Sequence, residues 1–163
     1  MREFNLSDAP RLTKMIAVPE IIRMLEQPPW PYNLSDAKLW LSTLKGRRQS
    51  GEAYAYAIDL PDEGLIGSIS LEKKNSDVFG LGYWIGKDFW GQGYASEAAH
   101  ALMKWAVEEM KITEVTAGYF EDNLASAKLL SNLGFVATGS FCVISNPLRD
   151  KPVNCLATRF CVT

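Results

Sequence analysis

The sequence predicts an α+β fold, a mixed β-sheet covered by helices, from three observations. Helical periodicity dominates the first 44 residues. Three alternating apolar stretches joined by short polar turns follow. The pattern then changes to strand, helix, strand, helix and strand signals in succession. At 163 residues, with 47% hydrophobic and 22% charged side chains, the chain is expected to form one domain over residues 1–163 and to bury a sizeable core.

Asn5, Ser7 and Asp8 offer N-caps for a first helix carrying Leu12, Met15 and Ile16. Pro19 starts a second, short helix with Ile21, Ile22, Met24 and Leu25. The stretch QPPWPYN, residues 27–33, holds three prolines and is expected to be irregular. Ser35 and Asp36 open a third helix with Leu39, Trp40, Leu41 and Leu44. Strands are expected over AYAYAID from Ala53, LIGSISLE from Leu65 and VFGLGYWI from Val78. The polar turns between them, Pro61–Gly64 and Lys73–Asp77, make these three an antiparallel meander. After Gly93 an apolar stripe of Ala95, Ala98, Leu102, Ala106 and Met110 predicts an amphipathic helix. TEVTAGYF reads as a strand. Asp122 and Asn123 cap a last helix, which Gly134 ends. Two further strands are expected, around 135–143 and 153–162.

Composition removes several functions. Seventeen basic against nineteen acidic residues give a net charge of −2, so no basic field exists to attract nucleic acid. Arg2, Glu3, Asp8 and Arg11 interrupt any apolar leader, and no apolar run is long enough to cross a bilayer. The expectation is a cytoplasmic protein without nucleic-acid or membrane partners. Cys142, Cys155 and Cys161 lack CxxC spacing and are expected to be buried, reduced thiols. His100 is the lone histidine, inside the helical run, where a packing or surface role is expected. That disfavours Ser-His-Asp and Cys-His mechanisms, and no metal site is expected.

The stretch DFWGQGYASEAA, residues 88–99, puts Gly91 and Gly93 directly before good helix formers. Glycine there permits positive φ or lets another group approach the backbone closely. A helix N-terminus presents free N–H groups and a partial positive charge suited to phosphate. From this spacing alone, a phosphate cradle and a plain strand-to-helix turn are equally good readings. A P-loop is excluded because no Lys follows the second glycine. A dinucleotide fingerprint is weak because Ser96 stands at the third small position and a meander precedes it.

GLGYWIGKDFWGQGYASEAAHALMKWAVEEM, followed by TEVTAGYFEDNLASAKLLSNLGFVATG, resembles the GNAT N-acetyltransferases. The likeness is strongest over residues 80–139. It is nearest to the branch that includes ribosomal-protein N-terminal acetyltransferases and many small-molecule acetyltransferases. The resemblance implies a splayed central sheet and acetyl-CoA as co-substrate. It implies that backbone amides across Gly91, Gln92, Gly93, Tyr94, Ala95 and Ser96 cradle the pyrophosphate. Pantetheine would pair with the backbone of Trp84 and Ile85 where the strand ending there parts from the strand 113–120. Asn123 would reach the pantetheine arm and Ser126 the thioester sulfur. Read without the resemblance, Asn123 is an N-cap and Ser126 a first-turn helix residue. Two departures are visible. Trp90 stands where the family often has Gln or Arg, so no side chain there grips phosphate. The usual first strand is cut to at most Met1–Phe4.

The reaction implied is direct attack of a neutral amine on the thioester. Glu72 is the candidate base, a backbone N–H near Trp84 the oxyanion donor, and Ser126 or Tyr83 a weak acid for the leaving thiolate. A solvated strand-end carboxylate beside Lys73 and Lys74 is the more ordinary reading of Glu72. The acceptor expected is a small-molecule amine, an amino acid or a peptide N-terminus, with Trp30, Tyr32 and residues 19–44 along its groove. A homodimer is left open. Two rivals remain: a non-catalytic acyl-CoA-binding module of the same fold, and a Rossmann-like nucleotide binder.

Overall fold

The computed structural model describes residues 1–26, 28–75 and 77–162; Gln27 of the proline-rich stretch and Ser76 of the second polar turn lie outside them. The meander is present as β1 (Ala53–Leu60), β2 (Gly64–Lys73) and β3 (Val78–Ile85). The later part of the chain adds β4 (Glu114–Phe120), β5 (Val136–Ile144) and β6 (Val153–Cys161). They form one sheet in the order β1-β2-β3-β4-β6-β5. Only β3 and β4 run parallel, so the sheet is mixed, as expected.

Five helices cover it: α1 (Ala9–Ile16), α2 (Pro19–Ile22), α3 (Leu34–Gln49), α4 (Tyr94–Glu108) and α5 (Leu124–Asn132). Alternation along the strands divides most of the apolar residues between two clusters, with a smaller third of Phe120, Val153 and Cys155. Ile66, Ile69, Leu71, Phe79, Leu81 and Ile85 pack against Ala99, Leu102 and Ala106 of α4 and Leu130 of α5. On the other face Ala57 and Leu65 pack with Leu12, Ile16, Ile21, Ile22, Ala37 and Leu41 of α1 to α3. The α4 stripe therefore does what its spacing predicts.

Several expectations are corrected. Asn5 caps a 3-10 turn at Leu6–Asp8, accepting from the Ser7 N–H at 2.9 Å, and α1 begins only at Ala9. Asp8 makes no side-chain cap for α1, because its carboxylate binds the Arg2 guanidinium at 2.8 and 2.9 Å. Arg2 also pairs its backbone with Ala57, and this single bridge is what remains of the first strand. α2 stops at Ile22, short of Met24 and Leu25. The buried Asn146 amide donates to the carbonyls of Ile22 and Leu25, each at 2.9 Å, and satisfies groups that a longer helix would have used. Of the cysteines only Cys155 is buried. Cys142 and Cys161 are exposed, since β5 is an edge strand open along nearly its whole length and Cys161 ends β6. His100 is exposed on α4, as expected for a surface histidine, with Nδ1 2.8 Å from the Ser96 carbonyl.

Gly67 lies opposite Ile85 in the β2–β3 ladder. A Cβ there would press on the Trp84 carbonyl oxygen and lie 2.8 Å from Ile85 Cδ1. The Trp84 carbonyl belongs to the strand backbone and cannot swing aside. Gly67→Ala is expected to lower the unfolding free energy by about 1–3 kcal/mol, the usual cost of overpacking. Urea denaturation of the variant checks this.

Candidate active site

β3 and β4 share only three ladder positions, Val78↔Glu114, Phe79↔Val115 and Gly80↔Thr116. Beyond them β3 follows β2 to Gly67↔Ile85, and β4 follows β6 to Phe120↔Cys155. The Gly86 N–H donates to the Ile66 carbonyl at 2.8 Å. In that register the peptide groups of Trp84 face β2, and those of Tyr83 and Ile85 face the gap. The Glu121 N–H donates to the Asn154 carbonyl at 3.0 Å, which likewise turns the peptide groups of Gly118 and Phe120 into the gap. Two of these carbonyls have partners inside the chain. Phe120 accepts from the Asn123 N–H, and Ile85 from the Trp90 indole, each at 2.7 Å. Trp90 thus pins the glycine loop to the end of β3, a task the sequence did not suggest.

The gap opens into a cleft of about 850 Å³, within the roughly 300–1,000 Å³ of small-molecule and cofactor sites. The glycine loop forms one end. Gly91 (φ +74°) and Gly93 (φ +85°) are left-handed, and a Cβ on either would meet nothing within 4 Å. The turn therefore requires glycine at both positions, and open space lies above them at the start of α4. Trp84, Ile85, Gly91, Gly93, Tyr94, Ala95, Ser96, Asn123 and Ser126 all line the cleft. Gln92 does not; its side chain is exposed and donates to the Asp88 carbonyl at 3.3 Å.

Tyr83 on β3 and Ser126 on α5 meet across the gap, hydroxyl to hydroxyl, at 2.7 Å. Burial pushes the Tyr83 phenol above its ordinary range, and the Ser126 contact offsets part of that rise. The phenol therefore stays protonated through neutral pH and can donate. Asn123 is the N-cap of α5, its Oδ1 accepting from the Ser126 N–H at 3.1 Å, which fixes Ser126 at the first turn.

Glu72 stands apart from this pair. It lies on β2 opposite Gly80, on the α1–α3 face while its neighbour Leu71 packs on the α4–α5 face, and it lines the same cleft. Its ion partner is Arg47 of α3 at 3.4 Å, rather than Lys73 or Lys74. Trp30 and Tyr32 are absent from the cleft lining. Tyr32 packs into the α1–α3 cluster, where burial first and Asp36 second push its phenol up to about 12. Of residues 19–44, it is Ile21, Met24, Leu25 and Glu26 that line the cleft. Nothing in the spacing singled out Glu26; the break that follows it was the one available signal. Its carboxylate accepts from the Cys155 thiol at 3.6 Å, a thiol that burial, Glu26 and Cys142 push up to about 12.

The cleft thus joins a split sheet, a glycine loop at a helix start and a pair of facing hydroxyls. The chain belongs to the acetyltransferase (GNAT) domain family, which matches residues 1–136, and is an acetyl-CoA-dependent N-acetyltransferase. An uncharacterized N-acetyltransferase from Bacillus licheniformis is 25% identical over 143 residues, 85% of this chain and 79% of that protein. The ribosomal-protein-S5-alanine acetyltransferase of Vibrio fischeri superposes with a TM-score of 0.85 at 18% identity, over 98% of this chain and 91% of that one. The spermidine N-acetyltransferase of Vibrio cholerae, solved with CoA and spermine, gives 0.82 at 14% identity, over 98% and 93%. Among the described residues no His, Cys, Asp and Glu group could hold a metal ion, and no helix is long and apolar enough to cross a membrane.

Removing the Asn123 cap should be visible in stability alone. Asn123→Ala is expected to cost about 1 kcal/mol, and Asn123→Asp, which keeps the acceptor oxygen, much less. Thermal unfolding of the two variants compares them.

Proposed function

We propose that this enzyme moves the acetyl group of acetyl-CoA to a primary amine of a small molecule, an amino acid or a peptide N-terminus by direct attack. The observation that carries the reading is the continuous path from the glycine loop, along the unpaired edge of β3, to the Tyr83–Ser126 pair. Amides from Gly91 to Ser96 would hold the pyrophosphate. The Tyr83 carbonyl and the Ile85 N–H would pair with pantetheine, since Trp84 spends its own groups on β2. The Asn123 Nδ2, free of the cap bond, is the donor left for the pantetheine arm.

In the reaction the amine nitrogen bonds to the thioester carbon, the C–S bond breaks, and the ammonium's lost proton balances the products as amide, CoA thiol and H⁺. Holding the two reactants in line can supply ~7–11 kcal/mol of the barrier. The Tyr83 N–H, which faces the gap, would stabilise the oxyanion, and the Tyr83–Ser126 hydroxyl pair would pass a proton to the departing sulfur. Glu72, on the α1–α3 face of the cleft, is the carboxylate proposed to draw the amine's proton, through water. The free thiols suit a reducing compartment, and the proposed location is the cytoplasm.

Two variants test the reading. Gly93→Val should abolish acetyl-CoA binding while the protein remains folded, because it forces a branched side chain into the left-handed position and over the loop amides. Calorimetry with acetyl-CoA reads this; unchanged affinity would remove the loop from the site. Ser126→Ala should lower kcat about tenfold or less and leave the acetyl-CoA dissociation constant nearly unchanged, since a thiol leaves tolerably unaided. Mass-spectrometric detection of acetylated products from a mixed amine and peptide library identifies the acceptor. Binding of acetyl-CoA with no transfer to any member would favour the non-catalytic module instead.

A further inference from the structure

The cleft is lined by three other charged pairs or groups besides Glu26, and each is accounted for. Asp122 takes the Arg149 guanidinium at 2.9 and 3.0 Å. Glu72 pairs with Arg47. Lys74 lies folded over Gly80, with Nζ 3.3 Å from where a Cβ would sit. Glu26 has no cation within ion-pair distance among the described residues, although it is exposed at the cleft mouth.

One of its carboxylate oxygens, Oε1, reaches back over the sheet. Oε1 lies 3.7 Å from the Cβ position of Gly118, over the part of β4 that has left β3, and takes the Cys155 thiol as a donor. That thiol remains protonated at neutral pH, so it orients the carboxylate without repelling it. The backbone on the N-terminal side of Glu26 is held by side chains from the β5–β6 connection. Asn146 bonds the carbonyls of Ile22 and Leu25, and Arg149 Nε bonds that of Arg23 at 2.9 Å. Around it Ile21, Met24, Leu25 and Phe120 supply apolar surface. A carboxylate without a counterion among the described residues, set beside apolar wall residues, is complementary to a cation attached to an apolar body.

We propose that Glu26 receives the ammonium of the acceptor, on the side of the sheet away from Tyr83, and that the enzyme therefore prefers amphipathic amines arriving with their charge. This rests on the transfer reading above for its meaning and not for its test. The probe is phenethylamine, an ammonium at pH 7, beside 2-phenylethanol, which has the same apolar body and no charge. Calorimetry with the CoA-saturated and the free protein should give at least fivefold tighter binding of the ammonium. Glu26→Gln should erase that preference, Glu26→Asp should retain part of it, and acetyl-CoA affinity should be unchanged in both. No binding of phenethylamine, equal binding of the two probes, or a preference that survives Glu26→Gln overturns the proposal. None of these readouts requires turnover, so a failure of acetyl transfer is seen separately in the product assay.

Discussion

Two parallel strands that separate after three shared positions leave peptide groups without ladder partners in the middle of a sheet, where each one buried unpaired would cost about 1–3 kcal/mol. Part of that demand is met from within. The Trp90 indole takes the Ile85 carbonyl, and the Asn123 N–H takes that of Phe120. The rest faces a cleft wide enough for water or an amide-bearing ligand. Beyond the three shared positions each strand stays paired on its other edge, β3 to β2 and β4 to β6. The open seam is thus a property of the sheet, available to a ligand without rearrangement.

The seam gives the site two sides. Tyr83, Ser126 and the glycine loop belong to the side covered by α4 and α5. Glu72 and Trp84 look toward α1 to α3, where Trp84 packs with the second cluster. A donor lying between the strands would present its thioester to both sides at once. Acceptor and donor then need not compete for the same entrance. The β5–β6 connection closes the arrangement at the far end, with Arg149 bound to Asp122 and stacked 4.8 Å over the Phe120 ring.

Much of this was legible in the sequence because it depends on local chemistry. Proline, capping residues and two-residue or helical alternation located all five helices and all six strands, most ends falling within a few residues. Gly91 and Gly93 were legible because left-handed backbone demands glycine. What was missed depends on contacts far apart in the chain. Asn146 shortens α2 from more than a hundred positions away. Arg47 reaches Glu72 from α3, and Tyr32 turns into its helix cluster instead of the groove. Cys142 and Cys161 were misjudged because residue type says nothing about which strand ends up at an edge. The pairing of Tyr83 with Ser126 depended on family resemblance to bring both residues forward, and only the fold sets them hydroxyl to hydroxyl.

The two apolar clusters on opposite faces of the sheet have no buried member in common. Side chains that do not touch contribute nearly independently to stability. The wall built from α1 to α3 can therefore exchange its shape and polarity while the half that seats the donor keeps its packing. Within one chain, selectivity can drift and chemistry can stay put, so a new acceptor is reachable by substitutions that never trespass on the donor's foundation.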